Sequence, residues 1–266
     1  MIGVFDSGVG GLATLAKLTA VLPAYSFVYL GDTAHNPYGD KTPEEIYALT
    51  AQGVRTLFAA GAELVILACN TASAAALCQI QQELLPAEFP GKKVLGILVP
   101  AAEAVAAGDR IGVLATAATV RTGAYSREIK KTNPRAEVFE EACPGLVQLI
   151  ENGRSGSAEF ENLARGYLDS LMKTSGGTDS LILGCTHYEL VGAQFAKHLP
   201  AAARIFQPSA IAAVKLTDYL QRHPEVNAKL ARKGEMRVWT TGDPEEFRRV
   251  GRALNCALAE KVMIPG

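Results

Sequence analysis

Two cysteines stand at equivalent places, each at the end of a short apolar segment. Cys69 follows residues 63–68 (ELVILA), and Cys185 follows residues 179–184 (DSLILG). Each thiol is therefore expected where a buried strand passes into a helix, close to backbone N–H groups that have no partner within the helix. The positive end of the helix dipole should stabilise the thiolate there and lower the pKa of the thiol. The two segments predict a pair of reactive thiols.

Two equivalent thiols that face one substrate predict two-base chemistry. A thiolate on one face of a carbon atom removes its proton while a thiol on the opposite face donates another, so a stereocentre is inverted. Polar residues that can bind the substrate follow both thiols: Asn70 and Thr71 after the first, Thr186 and His187 after the second. His187 can also assist the second thiol, although a lone histidine more often makes a structural hydrogen bond.

The other three cysteines lack this setting. Cys78 and Cys256 are expected in the core of helices, and Cys143 precedes Pro144 near the start of a helix. Because free cysteine is among the most buried residue types, we interpret all three as packing residues.

A glycine-rich turn directly follows the first apolar segment, at residues 6–11 (DSGVGG). Such a turn lets backbone N–H groups approach an anion. It lacks both the GxGxxG spacing and a Walker lysine, so a carboxylate suits it better than a dinucleotide or a triphosphate. Ser7 can donate to that carboxylate. Asp6 can orient a base or hold an ammonium group, or it can cap the following helix.

Two further polar segments follow predicted strands, so they should lie at the same edge of the sheet. Residues 37–39 (PYG) can offer backbone groups and a phenol to a ligand, or they form only a tight turn. Thr116 and Thr119 can donate to a carboxylate, or they cap the next helix.

The elements that must position these residues alternate between short apolar strands and longer helices. The expected strands are residues 2–5, 27–30, 64–68, 94–99, 111–114, 181–184, 204–206 and 237–240. The expected helices are residues 12–22, 43–59, 72–84, 125–131, 158–173, 210–221 and 245–259. This alternation, with strands that are apolar almost throughout, predicts an α/β fold with mainly parallel, buried sheets flanked by helices.

A weak internal repeat indicates two related halves. Residues 2–5 (IGVF) are echoed by residues 111–114 (IGVL), and the segment ending at Cys69 is echoed by the segment ending at Cys185. The order is the same in both halves. Two pseudo-symmetric α/β lobes are the simplest explanation, with the active site in the cleft between them.

The expected division of the chain follows from this repeat. The N-terminal lobe comprises residues 1–96 and 207–266, and it contains Asp6 and Cys69. The second lobe comprises residues 97–206, and it contains Thr116 and Cys185. Residues 207–266 are expected to return and complete the first lobe.

The composition excludes several classes of protein. The chain has 266 residues, a formal net charge of −1 and 48% hydrophobic residues, which argues against a nucleic-acid binder and against disorder. No apolar run of about 18 residues is present, so no membrane partner is expected, and the first residues do not resemble a secretory signal. The five cysteines predict free thiols in a reducing cytoplasm, and the four histidines show no zinc-ligand spacing, so no metal is expected.

Together these motifs resemble those of the bacterial glutamate racemases. The matching segments occur in the order of the family between residue 2 and about residue 190. They are residues 6–11, residues 37–39, residues 68–72 (ACNTA), Thr116 with Thr119, residues 142–144 (ACP) and residues 184–188 (GCTHY). The two cysteine segments are the most specific, whereas residues 207–266 match only loosely.

The resemblance implies a cofactor-independent interconversion of L- and D-glutamate that supplies D-glutamate for peptidoglycan synthesis. It implies that Cys69, supported by Asp6, removes the α-proton of D-glutamate, and that Cys185, supported by His187, removes that of L-glutamate. Glu151 occupies roughly the place of a family glutamate near the second thiol. The implied substrate contacts are Asp6, Ser7, Tyr38, Gly39, Asn70, Thr71, Thr116, Thr119, Thr186 and His187. A homodimer is a further expectation from the family.

Two positions depart from the pattern of the family. Glu189 follows Tyr188 where the family usually has proline, and Ala101 stands where glycine is common. Neither residue is expected to touch the reacting groups. An effect on loop shape or regulation is expected instead.

Several alternative functions remain open at this point. An aspartate racemase, or another racemase of the superfamily, is one alternative. Glutamate and aspartate differ by one methylene, and the motifs do not reveal how the pocket packs around it. A hydrolase with Cys185 as nucleophile and His187 as base leaves Cys69 without a role. A non-catalytic binder of acidic amino acids explains the anion-binding turns but not the paired thiols. A pyridoxal enzyme would need a lysine that the strand ends do not offer.

Overall fold

The computed structural model describes residues 1–200 and 203–265 of the chain. Ala201 and Ala202, assigned above to the second lobe, and Gly266, assigned to the first, lie outside the described residues. Within the described ranges the strands are β1 (Ile2–Asp6), β2 (Phe27–Gly31), β3 (Leu64–Leu67), β4 (Lys93–Gly96), β5 (Arg110–Ala115), β6 (Glu137–Ala142), β7 (Ser180–Gly184), β8 (Arg204–Phe206), β9 (Met236–Thr240) and β10 (Val262–Met263).

Helices connect these strands and cover both faces of the sheets. They are α1 (Leu12–Val21), α2 (Pro43–Ala59), α3 (Asn70–Ala75), α4 (Leu77–Gln79), α5 (Leu85–Glu88), α6 (Leu98–Val105), α7 (Ala117–Thr122), α8 (Ala124–Thr132), α9 (Leu146–Glu151), α10 (Ala158–Ser175), α11 (Thr186–Leu190), α12 (Gly192–Ala196), α13 (Pro208–Arg222), α14 (Pro224–Asn227) and α15 (Pro244–Ala253). Single 3₁₀ turns occupy Thr33–His35, Tyr38–Asp40 and Ala257–Lys261, and a π-helical turn occupies Ile80–Leu84.

The strands form two parallel sheets. The first has the order β10-β9-β2-β1-β3-β4, and the second has the order β6-β5-β7-β8. All their pairings are parallel. The inner strands are fully buried because helices cover both faces, as parallel sheets require. The predicted α/β fold class is confirmed.

The two repeated segments occupy equivalent places in the two sheets. In the first sheet β1 lies beside β3, which leads to Cys69. In the second sheet β5 lies beside β7, which leads to Cys185. The carboxyl ends of parallel strands meet at one edge of a sheet. Both cysteines therefore leave their sheets at the edge where a ligand can bind.

The first sheet draws on two distant parts of the chain. Strand β9 pairs with β2 in the register Leu30↔Trp239, so the late segment extends the sheet built by residues 1–96. Helix α13 precedes that segment. Its residues Ala212 and Leu216 join the core that contains Ile2 of β1 and Leu12 of α1.

Two predicted elements differ from the structure. The strand expected at residues 94–99 ends at Gly96, and α6 begins at Leu98. Pro100 falls in the first turn of α6, where a missing N–H costs nothing. The helix expected at residues 72–84 is broken after Ala75, and its π-helical turn lies just before Pro86, which cannot donate to the preceding turn.

The predicted environments of two cysteines also differ from the structure. Cys78, expected in a helix core, is exposed, because the buried face of this segment is formed by Leu77, Ile80 and Leu84. Cys256 is only partly buried and precedes a 3₁₀ turn, since α15 ends at Ala253. Across residues 1–200 and 203–265, no helix is long and apolar enough to span a membrane.

Candidate active site

One cleft at the carboxyl edges of both sheets brings together most residues singled out from the sequence. The predicted residues that line it are Ser7, Tyr38, Gly39, Cys69, Asn70, Thr71, Thr116, Cys185, Thr186 and His187. Asp6, Glu151 and Thr119 lie one layer behind, each in contact with a lining residue. Both thiols thus face one space, one from each sheet.

Cys69 lies at the carboxyl edge of the first sheet, where α3 begins. Strand β3 ends at Leu67, and Cys69 is the N-cap residue of α3. Its Sγ accepts a hydrogen bond from the backbone N–H of Ala72 at 3.4 Å and donates to Oγ of Ser7 at 3.5 Å. The side chain is nearly buried, so its position is set by these contacts.

The pKa of Cys69 moves opposite to the expectation from its helix. Burial, with a further contribution from the nearby charge of Asp6, raises the pKa of the Cys69 thiol from its ordinary value of 9.0 to about 12. The hydrogen bonds of Cys69 with Ala72 and Ser7 oppose this shift but are too weak to reverse it. The predicted lowering is therefore wrong. A six-residue helix offers little dipole to offset the loss of water around a buried thiolate.

This raised pKa has a measurable consequence for stability. The folded protein keeps the Cys69 proton at pH values where the unfolded chain releases it. The contribution of this raised pKa to the free energy of unfolding is complete below pH 9 and is lost as the pH rises towards about 12. We expect wild-type protein to lose free energy of unfolding more steeply than Cys69→Ala over this range, by up to about 1.4 kcal/mol per pH unit. Urea denaturation at a series of pH values under reducing conditions measures the two slopes.

The exposed Cys78 provides the control for that measurement. Cys78→Ala should retain the wild-type dependence on pH. Equal slopes for wild type and Cys69→Ala would show that the Cys69 thiol does not retain its proton in the folded state.

Cys185 is held at the second edge beside a histidine. It is the N-cap residue of α11, and its Sγ lies 3.8 Å from Nδ1 of His187. The other ring nitrogen, Nε2, lies 2.8 Å from Oε1 of Glu151. The Nδ2 amide of Asn36 donates to both carboxylate oxygens of Glu151, at 3.0 and 3.1 Å. A series of polar contacts therefore runs from Asn36 through Glu151 and His187 to the second thiol.

These contacts favour a protonated imidazole ring on His187. Burial opposes the charge on His187, but the hydrogen bonds to Cys185 and Glu151 and the negative charge of Glu151 outweigh it. The pKa of His187 is therefore raised well above its ordinary value. Burial also opposes the charge on Glu151, yet its contacts with His187 and Asn36 lower the pKa of that carboxyl. An imidazolium held by a carboxylate can donate to the thiol of Cys185.

Asp6, the last residue of β1, lies behind the lining of the cleft and beside Thr186 of α11. It is fully buried, and its Oδ1 accepts a hydrogen bond from the backbone N–H of Gly8 at 2.9 Å. The hydroxyl of Thr186 lies 3.5 Å from its Oδ2. Burial raises the pKa of Asp6 despite the charge of His187 and the bonds from the glycine turn. Helix α1 is capped by Gly11 without a side-chain bond, so the capping role considered for Asp6 is wrong.

Three threonine hydroxyls close one side of the cleft. Thr71 lies 2.9 Å from Thr116 and 3.1 Å from Thr119, and the last two lie 2.9 Å apart, measured between their Oγ1 atoms. Thr116 also caps α7 by accepting from the N–H of Thr119 at 3.2 Å. Both roles considered for Thr116 are therefore compatible in the structure. The cluster joins the end of β3 to the end of β5, which belong to different sheets.

Two further lining residues differ in what they leave free for a ligand. Asn70 accepts a hydrogen bond from the hydroxyl of Tyr125 at 2.5 Å, while its Nδ2 amide is buried and has no hydrogen-bond partner among the described residues. That amide is a donor available to a substrate. Tyr38 lines the cleft, but its hydroxyl already donates to Asp32 at 2.6 Å.

Some residues of the site were missed by sequence reasoning. Cys143, interpreted above as a packing residue, is buried and also lines the cleft. Asn36 holds Glu151, and its place directly before the PYG segment was the available signal. Gly10 approaches α11 so closely that a Cβ there would lie 2.6 Å from Oγ1 of Thr186. No group of three or more His, Cys, Asp or Glu residues in the described part of the chain is arranged to hold a metal ion.

Comparisons with known proteins show the family to which this chain is related. The family model for Asp/Glu/Hydantoin racemases matches residues 12–216. The glutamate racemase of Roseobacter denitrificans is 41% identical over 256 residues, which is 91% of this chain and 92% of that protein.

Solved structures with the same fold are also similar over nearly their whole length. A glutamate racemase isoform from Bacillus anthracis has a TM-score of 0.87 at 30% identity, covering 99% of this chain and 96% of that one. A glutamate racemase from Francisella tularensis, solved in complex with D-glutamate, has a TM-score of 0.86 at 31% identity. That comparison covers 100% of this chain and 97% of that one.

Proposed function

The chain belongs to the Asp/Glu/hydantoin racemase family and is an amino-acid racemase, and we propose that it interconverts L- and D-glutamate by proton transfer at two thiols. The observation that carries this proposal is the placement of Cys69 and Cys185 around one cleft, at equivalent positions of two sheets. A hydrolase that uses one thiol, or a binder that uses none, needs no such pair.

The proposed reaction moves one proton in and one proton out of the substrate. For D-glutamate, the thiolate of Cys69 removes the α-proton, and the thiol of Cys185 donates its proton to the opposite face of the carbanion. The product is L-glutamate, with Cys69 now a thiol and Cys185 a thiolate. The reverse direction uses the same two sulfur atoms with their roles exchanged.

The residues around each thiol support this division of work. Asp6 lies near Cys69 and can hold the ammonium group of the substrate, whose positive charge favours the thiolate in the buried site. His187, held by Glu151, can donate to Cys185 and stabilise its thiolate after proton transfer. Cys69 is protonated at neutral pH, because its pKa is about 12. That is the form needed to donate a proton when L-glutamate is the substrate.

Glutamate suits the donors that surround the thiols. Two carboxylates need several N–H and O–H groups. The cleft offers the free Nδ2 amide of Asn70, the hydroxyls of Ser7 and Thr186, and the hydroxyls of Thr71 and Thr116. The backbone beside Tyr38 and Gly39, and the hydroxyl of Thr119 behind Thr71, complete the proposed contacts. The named relatives are glutamate racemases, which favours glutamate over aspartate.

The remaining expectations belong to the same proposal. We propose a lobe of residues 1–96 and 207–266 and a lobe of residues 97–206, supported by the membership of the two sheets and by the packing of α13.

The D-glutamate would serve peptidoglycan synthesis. All five cysteines, which lie in the described residues, are free thiols, and this chemistry requires a reducing compartment such as the cytoplasm. A homodimer is proposed from the family alone.

Isotope incorporation from deuterated water tests the reaction and its substrate together. Purified protein without added cofactor should place deuterium at the α-carbon of glutamate and convert either enantiomer to the racemate. The rate with aspartate should be lower by roughly tenfold or more, since one methylene is worth about 1–3 kcal/mol in a fitted pocket. Mass spectrometry combined with chiral chromatography measures both quantities.

The outcomes separate the alternatives. Binding of glutamate without deuterium incorporation would indicate a binding protein. Faster incorporation into aspartate would identify an aspartate racemase. Either result would overturn the proposal.

A further inference from the structure

Helix α11 carries the residues that follow the second thiol, and it cannot hold its own orientation. It is five residues long, and no side chain caps its N-terminus. So short a helix is unstable without tertiary contacts. Three consecutive side chains provide them, each towards a different partner. His187 contacts Glu151, the hydroxyl of Tyr188 donates to the carbonyl of Cys143 at 2.9 Å, and Glu189 contacts Lys17.

The third of these contacts has no place in the mechanism above. The side chain of Glu189 is 1% exposed, although it carries a carboxylate. Its Oε2 accepts from Nζ of Lys17 at 2.9 Å and from Oγ of Ser209, and its Oε1 accepts from the N–H of Ser209 at 3.0 Å. Buried carboxylates require such compensation, because desolvation alone would expel the charge.

The ammonium group of Lys17 uses all its hydrogen-bond donors in the same cluster of residues. It has three N–H bonds, and they reach Glu189, the Oε1 of Gln207 at 3.0 Å and the Oγ of Ser209 at 2.6 Å. Lys17 lies on α1, Glu189 on α11 and Ser209 at the start of α13. The cluster therefore joins three segments that approach one another where the two sheets meet.

The cluster is connected directly to both halves of the site. Helix α1 begins at the glycine turn that holds Asp6, and the backbone N–H of Glu189 donates to the carbonyl of Cys185 at 3.3 Å. A rotation of α11 that separated Glu189 from Lys17 would move the backbone of Cys185 as well. Cys69, on the other side of the cleft, would keep its contacts with Ala72 and Ser7, because neither residue lies on α11.

We propose that Lys17, Glu189 and Ser209 form a positioning cluster that sets the orientation of α11 and thereby the distance of Cys185 from the substrate. The inference rests on the proposed two-thiol racemisation. Glu189 is a positioning residue, because it acts through Cys185 and touches no reacting atom. The expectation that this residue affects only loop shape or regulation is replaced by a role in proton transfer from one side of the substrate.

A cluster that positions one thiol should slow one of the two proton transfers. At equilibrium the enantiomers are equal in amount, so kcat/KM must fall equally in both directions, and net rates cannot show which transfer is affected. Deuterium isotope effects on kcat/KM can show which of the two transfers is slower. When transfer at Cys185 becomes slower, removal of the α-proton limits the rate more for L-glutamate and less for D-glutamate.

The experiment compares Glu189→Gln and Lys17→Met with wild type, using L- and D-glutamate deuterated at the α-carbon. In both variants kcat/KM should fall by roughly ten- to a hundredfold, as expected for a small misplacement of a reacting group. The deuterium isotope effect on kcat/KM should rise for L-glutamate and fall for D-glutamate. Lys17→Arg, which retains the charge, should recover most of the activity and the wild-type isotope effects.

A matched control separates positioning from general loss of stability. Glu63→Gln removes the carboxylate that lies 3.7 Å from Nζ of Lys92 beside the opposite end of the first sheet, and it should leave rates and isotope effects unchanged. Reduced rates with unchanged isotope effects in Glu189→Gln would indicate only a smaller fraction of folded protein and would overturn the inference. An unchanged rate would overturn it too. An inactive wild type would instead overturn the proposed function and this inference with it.

Discussion

Replacement of either Cys69 or Cys185 by alanine is expected to reduce the rate of glutamate inversion by about a thousandfold or more. Each thiol acts as base in one direction and as acid in the other, and a general acid or base contributes about 10²–10⁴-fold. Because inversion needs both faces of the α-carbon, neither thiol can replace the other. Polarimetry or chiral chromatography of each enantiomer measures the loss.

Each single variant should retain a stereospecific partial reaction. With Cys185 removed, Cys69 can still take the α-proton of D-glutamate and return a deuteron from solvent to the same face. D-glutamate should then exchange without inversion, and L-glutamate should not exchange. Cys69→Ala should show the opposite preference.

The exposed Cys78 supplies the control for this prediction. Cys78→Ala should be as active as wild type, because this thiol lies outside the cleft. Near-normal inversion by either Cys69→Ala or Cys185→Ala would contradict the two-thiol mechanism. Exchange of both enantiomers by a single-thiol variant would contradict the assignment of one thiol to each.

Replacement of His187 by asparagine should have the next largest effect, a fall in kcat of about a hundredfold. Asparagine removes the ionisable ring that lies 3.8 Å from Sγ of Cys185, so a thiolate formed there loses its charged donor. Steady-state rates with both enantiomers measure the effect. Substrate affinity should change less than kcat, because the ring acts mainly on the reacting thiol.

Glu151→Gln should have a smaller effect with a characteristic dependence on pH. In the wild-type protein His187 bonds to Cys185 and Glu151, and these contacts and the charge of Glu151 raise the pKa of the ring despite its burial. The neutral amide removes that charge, so the pKa of His187 should fall, and activity should be lost at lower pH on the alkaline side. The stability from this raised pKa is complete below pH 6.5 and is lost as the pH rises through the higher folded value.

The measurement for Glu151→Gln is the profile of kcat against pH beside that of wild type. The alkaline limb should move towards lower pH, because the ring of His187 loses one buried charge partner. An unchanged profile would show that Glu151 does not control the protonation of His187. Glu159→Gln, which removes an exposed carboxylate bonded to Arg154, should leave the profile as it is.

The location of the cleft was predictable from the sequence because its signals are local. Each thiol follows an apolar strand, and parallel strands bring their carboxyl ends to one edge. The same logic placed the turn at residues 6–11 and Thr116 beside them. Strand β6 was missed because its sequence, EVFEEA, is acidic and only partly buried at the edge of its sheet.

The electrostatics of the site were not predictable in the same way. The raised pKa of Cys69 depends first on burial and then on Asp6, which is distant in sequence. In the sequence, Glu189 was visible only as a departure from the pattern of the family, because its partners, Lys17 and Ser209, come from two other segments. Such properties arise only when the segments have packed together.

The pairing of β9 with β2 has a consequence for the order in which the protein is made. On the ribosome, residues 1–96 emerge first, but the outer edge of β2 has no neighbour until residues 236–240 are synthesised. The second sheet, drawn from residues 110–206, is complete earlier. The nascent chain therefore carries an open, apolar strand edge while the later half is translated, and unfinished chains should depend on chaperones that shield such edges.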